Sequence, residues 1–103
     1  MVLRITQIEG SDSGAILRLE GRVVAEVTAL LEQECFGLLR SREEVGLDLA
    51  GVSFVDLAGL EVLQRLSRAG AAILSPSGAV ASVLEGAGVR VTLDAKSVDG
   101  DQL

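Results

Sequence analysis

The stretch VGLDLAGVSFVDLAGLEVLQRL, residues 45–66, carries a strand pattern and a helix pattern that are joined by a short loop. Across Val45–Ala50 large apolar residues alternate with small or polar ones, which predicts a strand with one solvated face. From Leu57 onward, leucines at positions 60, 63 and 66 recur at helical spacing opposite charged side chains, which predicts an amphipathic helix. Asp56 stands where the N-cap of that helix is expected, facing the unpaired N–H groups of its first turn.

The rest of the chain supplies further strands and helices in a regular order. We predict strands over Val2–Ile8, Ala15–Glu20, Ala71–Leu74 and Val89–Asp94, and helices over Val24–Arg40 and Gly78–Glu85. The resulting order, β-β-α-β-α-β-α-β, indicates an antiparallel hairpin followed by parallel crossovers. Polar residues within the strands mark one solvated side of the sheet: Arg18, Glu20, Asp48, Arg90 and Asp94. We therefore expect an α/β fold with a mixed, mostly parallel sheet and helices mainly on one face.

The length and composition indicate one soluble domain with an aliphatic core. The chain has 103 residues, of which 49% are hydrophobic, and only Phe36 and Phe54 are aromatic. We predict a single domain over residues 1–95 and a flexible acidic tail over residues 96–103. The N-terminus has no long apolar segment of the signal-peptide type, and no apolar run reaches transmembrane length. We expect a cytoplasmic protein that does not insert into a membrane.

The charge and the missing residue types argue against several function classes. A net charge of −6 disfavours nucleic-acid binding, which needs a basic surface. The chain contains no His, so histidine-based catalytic triads and the common zinc sites are excluded. Its single cysteine, Cys35, falls on the apolar stripe of the first predicted helix and is interpreted as a core thiol. We expect no catalytic residue, no metal site and no cofactor.

Three local motifs have competing interpretations. Asp56 together with Gly59 is read either as a structural helix cap with close packing or as a docking loop that senses charge at a helix N-terminus. The segment Gly86–Gly88 lies after a helix and before a strand, which favours a helix end over a phosphate loop. Asp48 and Asp56 have no third ligand in view, so a catalytic or metal-binding pair is disfavoured.

The segment LDLAGVSFVDLAGLEVL, residues 47–63, closely resembles the signature of the STAS domain family. Leu19–Arg22, which precedes the first helix, resembles that family's Leu-x-Gly turn, and Ser82–Val89 resembles the leucine and glycine pattern that closes its third helix. The resemblance covers nearly the whole chain, and the order of strands and helices agrees with it. It implies the compact STAS fold, the fold of anti-sigma-factor antagonists.

The resemblance also implies a function in bacterial signal transduction. Well-known members are small cytoplasmic regulators of transcription that bind an ATP-dependent anti-sigma kinase, and in the switchable ones the loop reads Asp-Ser-Ser-Gly-Leu, with the second Ser phosphorylated. Here the corresponding loop is Asp56-Leu57-Ala58-Gly59-Leu60, so Ala58 occupies the acceptor position and no phosphorylation is expected there. Ser53 is the nearest remaining hydroxyl, and we interpret it as structural.

The leading hypothesis is a non-enzymatic domain that docks a protein partner with an ATPase or kinase domain. The predicted docking residues form the loop and the exposed side of the following helix: Asp56, Leu57, Ala58, Gly59, Leu60, Glu61, Gln64, Arg65 and Arg68. The alternatives are a subunit of a membrane lipid-transport ATPase complex and a stress-signalling scaffold, and a homodimer stays open. An enzyme with a nucleotide pocket is disfavoured because the sequence offers neither a phosphate loop nor a metal cluster.

Overall fold

The computed structural model describes residues 2–9 and 14–92. The strands are β1 (Leu3–Glu9), β2 (Gly14–Val23), β3 (Glu44–Val55), β4 (Ala72–Leu74) and β5 (Val91–Thr92). The helices are α1 (Thr28–Ser41), α2 (Leu57–Arg68) and α3 (Gly78–Gly86), and one 3₁₀ turn, Ala25–Val27, precedes α1. The predicted tail, 96–103, lies outside the described residues.

Within the described part of the chain, five strands form one sheet in the sequential order β1-β2-β3-β4-β5. Strand β1 pairs with β2 in antiparallel orientation, and β2, β3, β4 and β5 pair in parallel. This confirms the predicted hairpin and the predicted parallel crossovers. Because each crossover advances by one strand with the same hand, the helices lie on one face of the sheet.

The helix-covered face carries the apolar core, and the opposite face carries the predicted polar residues Arg18, Glu20 and Asp48. Arg90, which was also predicted within a strand, lies just before β5 instead. The buried cluster joins both kinds of element and includes Leu17, Leu19, Leu47, Leu49 and Ile73 from strands and Leu31, Cys35, Val62, Leu63, Leu66 and Leu84 from helices. On the other face Arg18 lies beside Asp48 in the β2–β3 register, and the Arg18 Nε to Asp48 Oδ2 distance is 3.7 Å. Asp94 lies outside the described residues.

Strand β3 is longer than the predicted Val45–Ala50. Two irregularities in its pairing with β2 interrupt the alternation of side chains on which that prediction was based. Arg18 pairs with Asp48 but Glu20 pairs with Gly51, so β3 contains one extra residue there. The register shifts a second time between Gly21 and Arg22. Each extra residue changes which side chains point inward, and strict alternation is lost after Leu49. The apolar residues that follow Ala50 therefore belong to the strand rather than to a loop.

The last strand begins later than predicted, at Val91 instead of Val89. The Val89 N–H donates to the Leu84 carbonyl oxygen over 2.9 Å, and the Gly88 N–H donates to the Glu85 carbonyl oxygen over 3.0 Å. These bonds close the end of α3, with Gly88 at a φ of +81°. Val89 is buried as part of this helix end and not as a strand residue.

The thiol of Cys35 is fully buried in the core, and its burial raises its pKa to about 11. Because the thiolate is the reactive form, we expect Cys35 to react very slowly with iodoacetamide at pH 8 in the folded protein and rapidly in denaturant. Mass spectrometry of the alkylated chain would measure both rates. Equal rates in the two conditions would contradict the burial of this side chain.

Arg42 joins the end of α1 to the end of β1. Its guanidinium donates from Nη1 to Glu9 Oε1 over 2.7 Å and from Nη2 to Glu9 Oε2 over 3.2 Å, and Nη1 also reaches the Gly14 carbonyl oxygen at 3.2 Å. Gln7 Nε2 donates to Glu9 Oε2 over 2.8 Å. The Arg42 and Gln7 hydrogen bonds lower the pKa of Glu9. Arg42 therefore ties α1 to both strands of the hairpin.

We predict that this tie weakens in acid. A carboxyl whose pKa is lowered by folding contributes stability above its ordinary value of 4.5, and loses that contribution as the pH falls through its folded value. An NMR titration of the Glu9 carboxyl carbon should give a midpoint below 4.5 in the parent chain. In Arg42→Gln the midpoint should return toward the ordinary value. A midpoint that is the same in both chains would contradict the assignment.

Candidate functional site

Asp56 caps helix α2 as the sequence predicts. Its backbone is extended, with φ −89° and ψ −176°, and its side-chain Oδ1 accepts a hydrogen bond from the Gly59 N–H over 2.7 Å. Its backbone N–H donates to the Val23 carbonyl oxygen over 3.2 Å. The cap confirms the start of α2. Asp56 is thus the one residue between β3 and α2, and Leu57–Leu60, which were predicted as part of a docking loop, form the first turn of the helix.

The same carboxylate also reaches a segment that is distant in sequence. Asp56 Oδ2 accepts a hydrogen bond from the Ala25 N–H over 3.1 Å, across a separation of 31 residues. Ala25 begins the 3₁₀ turn that precedes α1. Asp56 therefore connects the start of α2 with the segment between β2 and α1, a connection that local sequence patterns do not indicate.

Gly59 is required by close packing. A Cβ added at Gly59 would overlap the carbonyl oxygen of Val23, so the first turn of α2 lies directly on the end of β2. The residue is buried, and Leu60 next to it packs partly buried against the core. Gly59 and Leu60, two of the residues of the predicted docking loop, thus attach α2 to the sheet.

Two large apolar side chains are exposed on either side of Asp56. Leu57 is 71% exposed and Phe54 is 52% exposed, whereas Ala58 is half-buried. Large apolar side chains that remain exposed are candidates for contact with a partner, because their burial on binding favours association. Phe54 was not among the predicted docking residues, although an aromatic residue two positions before Asp56 was a usable signal.

The predicted residues farther along α2 differ in their surroundings. Glu61 and Arg68 are exposed. The Gln64 side-chain Nε2 donates to the Ala87 carbonyl oxygen over 3.1 Å, which ties α2 to the end of α3. Arg65 Nε donates to Glu32 Oε2 over 2.7 Å and so links α2 to α1. Glu61 and Arg68 thus face solvent, whereas Gln64 and Arg65 bond to the neighbouring helices.

The two aspartates considered as a pair have separate surroundings. Asp48 faces Arg18 and accepts a hydrogen bond from the Ala50 N–H over 3.0 Å, while Asp56 caps α2. Across residues 2–9 and 14–92, no group of three His, Cys, Asp or Glu side chains is placed to hold a metal ion. The same residues include no helix that is both long and apolar enough to cross a lipid bilayer.

The pattern of the STAS domain family matches residues 5–96, which is nearly the whole chain. The chain belongs to the STAS domain family. Its sequence has no significant match among curated proteins.

Solved structures share this STAS fold at low sequence identity. An anti-sigma factor antagonist from Mycobacterium paratuberculosis is 18% identical, with a TM-score of 0.72 over 84% of this chain and 78% of that one. The unphosphorylated anti-sigma factor antagonist SpoIIAA is 14% identical, with a TM-score of 0.75 over 96% of both chains. The murine anion transporter Slc26a9 is 20% identical, with a TM-score of 0.64 over 79% of this chain but only 15% of the transporter.

Proposed function

We propose that this STAS domain is a non-enzymatic, anti-sigma-factor-antagonist-like domain that binds an ATP-binding partner of the anti-sigma kinase type. Docking occurs through the Asp56–Leu60 loop and the exposed side of α2. The observation that carries the proposal is the 71% exposure of Leu57 at the start of α2, beside a capped and closely packed loop. Removing this large apolar side chain from water in a complex would favour association.

The proposed docking surface is preorganised by contacts within the domain. Asp56 fixes the loop through its hydrogen bond to Gly59, and Gly59 places the helix against Val23. Because the first turn of α2 is already ordered by these contacts, it loses little conformational entropy when a partner binds, which favours affinity. Ala58, with its small side chain, allows a partner's surface to approach the first turn of α2 closely.

The proposal includes the absence of a phosphorylation switch at this loop. In the resemblance to switchable STAS domains, Ala58 stands at the position of the acceptor serine, and alanine has no hydroxyl group to accept a phosphoryl group. Phosphorylation would add about −1.5 to −2 charges at pH 7 to this surface. Partner binding by this domain would then not be controlled by phosphorylation at position 58.

Site-specific photocrosslinking in the native cells tests the proposal. A photoreactive amino acid placed at Leu57 should crosslink to a protein that mass spectrometry identifies as an ATP-binding kinase-type protein. The matched control is the same amino acid at Leu30, a leucine of α1 that is 50% exposed and should not crosslink to that protein. A transporter ATPase at Leu57 would favour the transport-complex alternative, and identical products from both positions would contradict docking at the loop.

A further inference from the structure

Strand β1 lies at one edge of the sheet, and among residues 2–9 and 14–92 it pairs with β2 alone. The N–H and C=O groups along such an edge can pair with another strand, and proteins usually protect it with proline, lysine, a bulge or a very short strand. Strand β1 has none of these protections. Its sequence, LRITQIE, contains seven residues, and its register with β2 is uninterrupted from Leu3 to Glu9. The strand at the opposite edge, β5, has only two residues.

The backbone groups of β1 point alternately toward β2 and toward the free edge. The Arg22 N–H donates to the Val2 carbonyl oxygen over 2.9 Å, and the next residue, Leu3, stands opposite Gly21. Because hydrogen-bonded and non-hydrogen-bonded pairs alternate in an antiparallel ladder, the residues at even positions bond to β2. The N–H and C=O groups of the residues at odd positions therefore point to the free edge: Leu3, Ile5, Gln7 and Glu9.

This edge is complementary to a second copy of itself in antiparallel orientation. In the register centred on Thr6, Leu3 lies opposite Glu9 of the other copy, and Ile5 lies opposite Gln7. Outward-pointing donors and acceptors of the two strands then meet, and all seven residues of β1 are paired. A shift by one residue would set outward-pointing groups against inward-pointing ones, and a shift by two would leave end residues unpaired.

The charges of β1 favour the same orientation. Arg4 is exposed near the start of the strand, and the Glu9 side chain at its end is 63% exposed even though it contacts Arg42. An antiparallel copy brings the basic end of each strand beside the acidic end of the other, whereas a parallel copy would place like charges side by side.

Two properties limit the strength of this association. One pair of seven-residue strands buries less than the roughly 1,200–2,000 Å² of a stable interface. Each chain also has a net charge of −6, so two copies repel one another at long range. We therefore expect a dimer that dissociates on dilution.

We infer that the free edge of β1 is a self-association site, where β1 of a second copy adds in antiparallel orientation with Thr6 opposite Thr6. The two five-stranded sheets become one continuous sheet. Addition of a strand to an exposed edge is a common mode of protein recognition. The inference does not rest on the proposed function, because β1 contributes no residue to the proposed docking surface.

The first test is disulfide trapping of the full chain with Thr6→Cys. In the proposed register the two Cys side chains form a non-hydrogen-bonded pair with Cα atoms about 4.5 Å apart, a distance that a disulfide spans. The native thiol, Cys35, is buried and does not compete. We expect mild oxidation to give a covalent dimer at least about tenfold faster than in single-cysteine variants of the same strand, because association raises the effective thiol concentration.

The matched controls are Arg4→Cys and Ile8→Cys, which lie on the same face of β1 as Thr6. Each is far from its own copy in the proposed register, so each alone should crosslink slowly. Position 4 lies opposite position 8 of the other copy, so an equimolar mixture of the two variants should form the mixed disulfide rapidly. Equal rates for all three variants and the mixture would indicate random collision and overturn the register.

The second test needs no cysteine and measures the parent chain by NMR hydrogen exchange at two protein concentrations. The amides of Ile5 and Gln7 should exchange about tenfold slower in the concentrated sample, because association removes them from water. The Thr6 amide, which bonds to β2, should exchange at the same rate in both samples. Exchange at Ile5 and Gln7 that is independent of concentration would overturn the inference.

The variant Gln7→Pro connects these observations with assembly. Proline at this position removes an N–H that points to the free edge and leaves every bond to β2 in place. Sedimentation should show the parent chain and the control Gln7→Ala approaching the mass of two chains at high concentration, while Gln7→Pro stays monomeric. A parent chain that stays monomeric, or a Gln7→Pro that dimerises as the parent does, would contradict self-association through β1. Crosslinking at Leu57 is expected from monomer and dimer alike, so its failure would overturn the proposed function alone.

Discussion

Replacing Gly59 by alanine is expected to lower the free energy of unfolding by about 3 kcal/mol, the upper end of the usual cost of overpacking. A Cβ at this position would overlap the carbonyl oxygen of Val23, and the next nearest atoms include the backbone carbon and the Cγ1 of Val23. Backbone atoms cannot rotate away as the tip of a long side chain can. Helix α2 would therefore have to shift outward and lose contacts of Val62 and Leu63 with the core. Urea unfolding followed by circular dichroism would measure the change.

Gly37→Ala is the matched control for that experiment. Gly37 also lies within a helix, but a Cβ at that position would meet no atom within 4 Å. Alanine there should raise the free energy of unfolding by about 0.5–1 kcal/mol, because glycine is unfavourable in a helix interior. If Gly59→Ala also stabilised the chain, the close contact between α2 and β2 would be refuted.

Ala58→Glu is expected to reduce the affinity for the partner at least about a hundredfold, because it places a charge in the proposed interface without a group to neutralise it. The fold should remain intact or become slightly more stable. Ala58 is the second residue of α2, and a negative charge in the first turn of a helix contributes about 0.3–1 kcal/mol of stability. Affinity and stability should thus change in opposite directions, which distinguishes an interface effect from unfolding. Calorimetric titration and thermal unfolding of the same samples would give both quantities.

The control for Ala58→Glu is Ala58→Gln, which has nearly the same size but no charge. If charge is decisive, Gln should retain most of the affinity that Glu loses. Equal losses in the two variants would indicate a steric effect at a closely packed surface, and unchanged affinity in both would show that the partner binds elsewhere. Ala58→Ser adds a third comparison, because it restores a hydroxyl at the position of the acceptor serine in switchable STAS domains.

The local patterns of the sequence were sufficient for the order of elements and for the start of α2. The alternation of Leu17 and Leu19 with Arg18 and Glu20 in β2 and the helical spacing after Leu57 each extend over a few neighbouring residues, and side-chain periodicity indicates directly which face is buried. The cap at Asp56 was also predicted because capping involves residues only three positions apart. The polar side of the sheet followed from the same alternation, as the pairing of Arg18 with Asp48 confirms.

Elements whose limits depend on pairing partners were predicted less well. Strand β3 continues to Val55 because β2 pairs with it through two register shifts, and a shift changes the inward side without any local signal. The start of β5 was wrong because Val89 bonds back to α3. Val83 is 46% exposed within α3, which shows that the helical spacing of apolar residues does not by itself give the face on which this short helix packs.

At the candidate site, local sequence patterns predicted that Asp56 caps α2 and showed that position 58 carries no hydroxyl, whereas the predicted docking loop is in fact the first turn of α2. Three features are evident from the folded structure alone. Leu57 and Phe54 are exposed, Gly59 lies too close to the Val23 carbonyl oxygen for any side chain, and Gln64 is hydrogen-bonded to the end of α3. The folded structure also placed Ala25 within hydrogen-bonding distance of Asp56. The physical reason is that periodicity and capping arise from neighbours along the chain, whereas exposure, close backbone contacts and bonds between distant segments depend on how the whole sheet and its helices pack.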